Sequence, residues 1–276
     1  MTGYTLYNYK PSLVAAIVFI ILFLIATVAH IGMAIKTRTK FIIAFIIGGF
    51  FEAIGYGARA VNAHQAPDYT TMPYALQSLF ILLAPSLFAA SVYMILGRII
   101  RATDGDSRSL IRATRLTKIF VLGDVLSFFI QSAGGGLMSG AKTESKLKLG
   151  ENVIIVGLIV QILFFGFFII VACVFHQRMA GNPTTTAMGT SIDWQKYLMV
   201  LYFVSTLIMV RCIYRVIEYI QGSTGFLQSH EYFAYVCDSM LMIFVMITFL
   251  FFHPSQIIDR GQTKIDETEL MYGRLP

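Results

Sequence analysis

The stretch VRCIYRVIEY at 210–219 carries two arginines and a glutamate, and it runs directly out of the apolar YLMVLYFVSTLIM. Arg211, Arg215 and Glu218 fall at i, i+4 and i+7, one stripe of a helix. Guanidinium and carboxylate groups in an apolar medium can neutralise one another, hold a charged ligand, or relay protons. Glu52, Arg59, Asp124, Glu231 and Asp238 also lie within apolar blocks. The inventory is therefore five acids and three bases.

Each charge is expensive where it stands. An isolated one at mid-bilayer costs at least ~2.5–3.5 kcal/mol, so these residues must meet partners. Their spacing makes faces. Gly48, Glu52, Gly55 and Arg59 share one stripe; Asp124, Ser127, Gln131 and Gly135 share another; Glu231 and Asp238 stand seven apart with Tyr235 and Met242 alongside. Four helices with one polar stripe each are expected to turn those stripes inward together. At about 1.5 Å rise per residue, Glu52, Arg211 and Asp238 reach similar depths, roughly 10–14 Å below the outer surface. Arg59, Arg215, Glu218 and Glu231 sit nearer that surface, and Asp124 nearer the opposite side. Arg211 is expected to pair with Asp238 or Glu52, where the second, sixth and seventh helices meet. Three bases leave acids over, so at least one carboxyl is protonated, wet, or left to meet a cation. Two readings stay open: a satisfied network that specifies helix register, or a polar cavity open to the outer leaflet.

The elements that must position these residues follow from composition. The chain has 276 residues, 57% hydrophobic and 13% charged, against about 25% charged in soluble domains. Seven continuously apolar blocks, at 12–35, 41–61, 74–98, 116–138, 152–176, 197–220 and 231–252, approach the roughly 20 residues of a spanning helix. The expected fold is an all-α bundle of seven membrane-spanning helices over 1–252, with a cytosolic tail at 253–276. The first block is too long for a signal peptide and lacks a basic leader. Fourteen Lys and Arg near the ends on one side face five on the other, which puts the N-terminus outside and the C-terminus in the cytosol. The net charge of +6 thus reads as topology, and no nucleic-acid partner is expected.

Other features are weaker. Cys173, Cys212 and Cys237 all fall inside spans and suggest no extracellular disulfides. GGLMSGAKT at 135–143 imitates a phosphate loop, but Ala141 separates Gly140 from Lys142 and no strand precedes it, so no nucleotide is expected. Pro85 cannot donate its backbone hydrogen and frees the carbonyl of Ile81; it kinks the third span either as a hinge or for packing. His30, His176, His230 and His253 lack metal-ligand spacing, and His230 beside Glu231 reads best as an interfacial cap.

FEAIGYGAR (51–59), LLAPSLFAASVYMILGRII (82–100), GDVLSFFIQSAGGGLM (123–138), VRCIYRVIEYIQGSTGFLQSHEYFAYVCDSMLM (210–242) and FFHPS (251–255) follow one another in order. Together they resemble the fungal lipid-translocating exporter family, linked to 7-aminocholesterol resistance, to release of sphingoid long-chain bases and, in one branch, to porphyrin or haem handling. The resemblance implies seven spans and an outside N-terminus. It also implies that Glu52, Arg59, Asp124, Gln131, Arg211, Arg215, Glu218, His230, Glu231 and Asp238 occupy characteristic polar positions.

The expected function is an ATP-independent transporter, exporter or binder of amphipathic amine-bearing lipids such as sphingoid bases, in the plasma membrane. No enzymatic activity, metal or other cofactor is expected, and membrane lipids are the partners. Surplus acids would hold the ammonium and apolar walls the chain. One alternative is a seven-helix lipid sensor or receptor, although D-R-Y-like, N-P-x-x-Y-like and paired-cysteine signatures are absent. A second is a haem- or porphyrin-handling protein with His30 or His230 as axial ligand. An intramembrane hydrolase would need a metal triad or activated nucleophile, and the sequence offers neither.

Overall fold

A computed structural model describes residues 9–66, 69–141, 143–189, 193–222 and 225–253, apart from the side chains at 40 and 139. Seven helices are long and apolar enough to cross a membrane: α1 (Leu13–Thr37), α2 (Ile43–His64), α3 (Thr71–Ala102), α4 (Ala113–Ser139), α5 (Glu144–Gly181), α6 (Trp194–Gln221) and α7 (Glu231–Phe251). No strand occurs among the described residues. All seven expected spans are present. The tail expected at 253–276 lies, beyond His253, outside the described residues.

The largest boundary difference is in α5, which starts at Glu144 rather than 152. An apolar block marks only the part of a helix that lipid must cover. The polar turns ahead of it stay helical, with Glu144 and Lys148 joined across one turn at 2.9 Å. At the start of α1, Ser12 Oγ accepts from the amide of Ala15 at 3.3 Å, satisfying one of the first-turn donors.

Successive helices pack side by side, and α7 returns to α1, so the bundle closes. α3 sits at its centre, touching α2, α4, α5 and α6. Burial agrees: 67% of the apolar window of α3 is buried against 28% of that of α1. Outward faces carry Val14, Ile25, Val28, Leu163 and Phe203, which suits lipid contact.

Close approach of helices depends on missing side chains. A Cβ at Gly55 would stand 2.6 Å from Ile81 Cγ1, and one at Gly48 would stand 3.1 Å from the carbonyl oxygen of Ala84. The α2 stripe of Gly48, Glu52 and Gly55 therefore lies hard against α3. Without hydrophobic attraction between helices in lipid, such small-residue contacts let dispersion hold them. The same device joins α4 to α5, where a Cβ at Gly157 would stand 2.6 Å from Gln131 Cγ.

Candidate functional site

Near the N-terminal end of the bundle, Arg59 of α2 meets the start of α7. Its Nη2 lies 3.0 Å from Glu231 Oε1 and donates to the Tyr9 hydroxyl at 2.7 Å, while its Nε donates to the Tyr235 hydroxyl at 3.1 Å. Tyr235 in turn donates to Glu231 at 3.0 Å. The amide of Ser12 donates to both oxygens of Glu231 at 2.9 Å. The segment before α1 is thereby fastened to α2 and α7. Burial raises the Tyr9 phenol above its ordinary range, so it remains the neutral acceptor this contact requires. Phe19 stacks on Tyr235 at 5.0 Å and on Tyr56 at 5.6 Å between centroids, which adds an aromatic clamp below the polar one.

Deeper lies a second cluster. Asp238 is 1% exposed and is held by two arginines at once, Arg211 Nε on Oδ1 and Arg215 Nη2 on Oδ2. Arg215 Nη1 also reaches Glu218 Oε2 at 2.8 Å. Of the two partners expected for Arg211, Asp238 is the one it takes. The α6 stripe that opened the sequence reading thus serves α7. Asp238 stands in a π-helical turn, Tyr235–Ser239, a local widening that recurs at functional sites. Ser239 of the same turn contacts the Tyr56 hydroxyl of α2.

A second guanidinium nitrogen of Arg211 finds an acceptor in α3. Arg211 Nη2 donates to the carbonyl of Ile81 at 2.6 Å. This is the carbonyl that Pro85, four residues on, leaves without its helical partner. The proline and the arginine complete each other across two helices.

Of the five acids within the spans, Glu52 and Asp124 are in none of the ion pairs formed among the described residues. Glu52 is 0% exposed, and neither carboxyl oxygen has a hydrogen-bond partner. The charges acting on it are those of Asp238, Arg211 and Arg215. Asp124 accepts from the Tyr93 hydroxyl at 3.0 Å through Oδ2, while its Oδ1 has no partner. The surplus implied by five acids and three bases falls on these two.

The expectation of one shared polar chamber is corrected by the placement of α4. Its stripe turns to α3 and α5. Ser127 Oγ donates to the Gly157 carbonyl at 2.9 Å, and Gln131 Nε2 donates to Ser127 Oγ at 2.6 Å and to Gln161 Oε1 at 3.2 Å. Gln161 donates to Ser86 Oγ at 3.2 Å. These are neutral amides and hydroxyls. Gln161 was missed in the sequence because a single glutamine in an otherwise apolar block makes no stripe.

A cavity of about 500 Å³ opens among α3, α4, α5 and α6, at the end of the bundle where α1 begins. Tyr74, Ser78 and Leu82 line it from α3, Phe128, Gln131 and Ser132 from α4, and Tyr219 from α6. Ser132 Oγ has no partner. Among the described residues no charged side chain lines it. Of the nine residues expected to bind substrate, Gln131 is the one that lines this cavity. Glu52, Arg59, Asp124, Arg211, Arg215, Glu218, Glu231 and Asp238 are not among its lining residues; Arg211 instead packs on the Ile81 carbonyl of α3, and Asp124 on Tyr93. The charge cluster and the cavity are nevertheless linked through α6: Tyr219 follows Arg211 and Arg215 at the same four-residue interval, and Ile81 adjoins Leu82. The neutral hydroxyl-bearing residues at the span ends gave little sequence signal, since such residues also suit the membrane interface.

The histidines lie elsewhere. His30 Nε2 is 3.0 Å from the Met246 carbonyl, and His230 Nδ1 is 2.9 Å from that of Phe226; neither lines the cavity. Among the described residues no group of three or more His, Cys, Asp or Glu is placed to hold a metal.

No solved structure matches the chain. Protoporphyrin uptake protein 1 of Saccharomyces cerevisiae is 39% identical over 90% of this chain and 91% of its own length. Protein RTA1 of the same yeast is 34% identical over 91% and 86%. The sphingoid long-chain base transporter RSB1 of S. cerevisiae is 26% identical over 94% and 75%. The model of the family described as RTA1-like protein matches residues 45–261, which run from early in α2 past the end of α7, and the chain belongs to that family of integral membrane proteins.

Proposed function

We propose that this protein binds amphipathic lipids and carries them between leaflets without ATP, sphingoid long-chain bases being the first class to test. The observation that carries the reading is the cavity of about 500 Å³ between α3 and α6, whose walls combine aromatic rings, neutral hydroxyls and alkyl side chains. An amine-bearing headgroup finds the aromatic rings of Tyr74, Phe128 and Tyr219 there for cation–π attraction. The adjoining apolar walls suit a hydrocarbon chain. In this reading the charged cluster expected to hold the ammonium acts behind the wall. The naming of one relative as a sphingoid long-chain base transporter supports the substrate class. The excess of Lys and Arg on one side supports an outside N-terminus and, with it, our reading of a cavity in the outer half of the membrane, the plasma membrane being the one proposed.

The test is leaflet transfer of a fluorescent sphingoid base in proteoliposomes. Gly135 lines the cavity, and a Cβ there would meet nothing within 4 Å. Gly135→Leu should therefore fill the cavity, keep the fold and abolish transfer. Transfer at the normal rate in that variant would refute the assignment.

A second reading is favoured by the 39% identity to a protoporphyrin uptake protein. Here the same aromatic walls take a flat macrocycle, with no histidine ligand. Saturable quenching of protoporphyrin fluorescence by the purified protein, lost in Gly135→Leu, is its expected signature. Binding of the sphingoid base alone would exclude it.

A further inference from the structure

We propose that Glu52 is a proton-carrying group that couples lipid movement to the proton gradient, through Arg211 and the carbonyl of Ile81. The inference rests on the transport reading above and adds its energy source.

Three observations carry it. First, Glu52 has no exposed surface and no donor for either oxygen. A bare carboxylate in such surroundings is too costly to persist, and a proton is the simplest way to neutralise it. Second, its surroundings are built to respond if that proton leaves. Arg211 and Arg215 of α6 and Asp238 of α7 act on it, and the Tyr56 phenol follows one turn along α2. From the other neighbours of α2, Thr27 of α1 and Ile81, Ala84 and Phe88 of α3 pack on the flanking glycines without bringing charge. With Glu52 neutral, Arg211 and Arg215 are matched by Asp238 and Glu218. Loss of the proton adds one negative charge, and the two arginines must then be shared among three carboxylates.

Third, that sharing has a mechanical consequence. Arg211 also holds the Ile81 carbonyl at 2.6 Å, the acceptor that Pro85 inside the helix leaves free. Drawing Arg211 towards Glu52 takes the donor from α3. The next residue, Leu82, and Ser78 one turn earlier both line the lipid cavity. The path from proton to cavity is thus one carboxyl, one guanidinium and one carbonyl. The proton enters Glu52 from water on one side of the membrane and leaves to water on the other; no bond besides its O–H is made or broken.

The experiment uses the full chain in liposomes and a fluorescent N-trimethylated sphingoid base, whose fixed charge does not itself titrate. An imposed pH gradient should drive accumulation of the probe in wild type. Glu52→Gln, which copies the protonated state, should lose the gradient-driven part. Equal response in wild type and Glu52→Gln, or no response in a wild type that does move the probe, overturns the proposal. Infrared spectroscopy decides independently of transport and of how well the variant folds. Wild type should show the carbonyl band of a buried protonated carboxylic acid, and Glu52→Asp should keep it at a shifted frequency. If no lipid moves at all, the transport reading has failed. The band then still decides whether Glu52 holds a proton, and its absence from wild type overturns the coupling role.

Discussion

Arg211 serves two acceptors that no other residue can serve together: a carboxylate of α7 and a backbone oxygen of α3. Its removal leaves both buried groups short of a donor. Arg211→Ala should therefore lower stability by ~3–5 kcal/mol, the range for breaking a buried pair from one side. Adding Asp238→Asn should recover part of that loss. Thermal unfolding of the purified variants measures both, and additive losses in the double variant would contradict the pairing. At the rim the same logic gives a smaller number. Glu231→Gln weakens a partly exposed pair, so about 1 kcal/mol is expected. The clearer readout is faster amide hydrogen exchange at Ser12, whose N–H the carboxylate accepts. That acids outnumber bases was legible from the residue types alone. Which two acids stay unpaired was not, since Glu52 and Asp238 lie at the same expected depth and only packing chooses between them.

Among the helices, α3 is the element on which the rest turns. Pro85 removes a backbone donor from the middle of α3, and α6 supplies the replacement. Pro85→Ala returns a backbone N–H that competes with Arg211 for the Ile81 carbonyl. Lipid transfer should slow while helicity is unchanged; unaltered transfer would count against a working role for the Arg211–Ile81 contact. The contact of α4 with α5 is governed by space. Gly157→Val should force these helices apart and cost about 1–3 kcal/mol, seen as a lower unfolding temperature. Gly135 of α4 faces open room, so Gly135→Ala should leave stability unchanged. Apolar block length placed all seven spans, because only a helix of about 20 apolar residues satisfies its backbone in lipid. Helix ends were less legible. The polar first turns of α5 carry no hydropathy signal, and local side-chain pairs keep them helical.

For the molecule as a whole, the charge asymmetry predicts an N-terminus facing outward. A tag ahead of position 1 should be labelled on intact cells and one after 276 only after permeabilisation; the reverse would invert the location of the cavity. Seven spans, the stripes on α2, α4, α6 and α7, and the excess of acids over bases were determined by the sequence itself, because each is a local property of period and composition. Tertiary structure alone decided that the α4 stripe turns away from the arginines, that the charged cluster is not part of the cavity lining, and that Glu52 is left bare. Those outcomes depend on which face meets which across the bundle. In lipid that is settled by glycine-sized close contacts and shared backbone acceptors between distant segments, which helical periodicity within a single segment does not record.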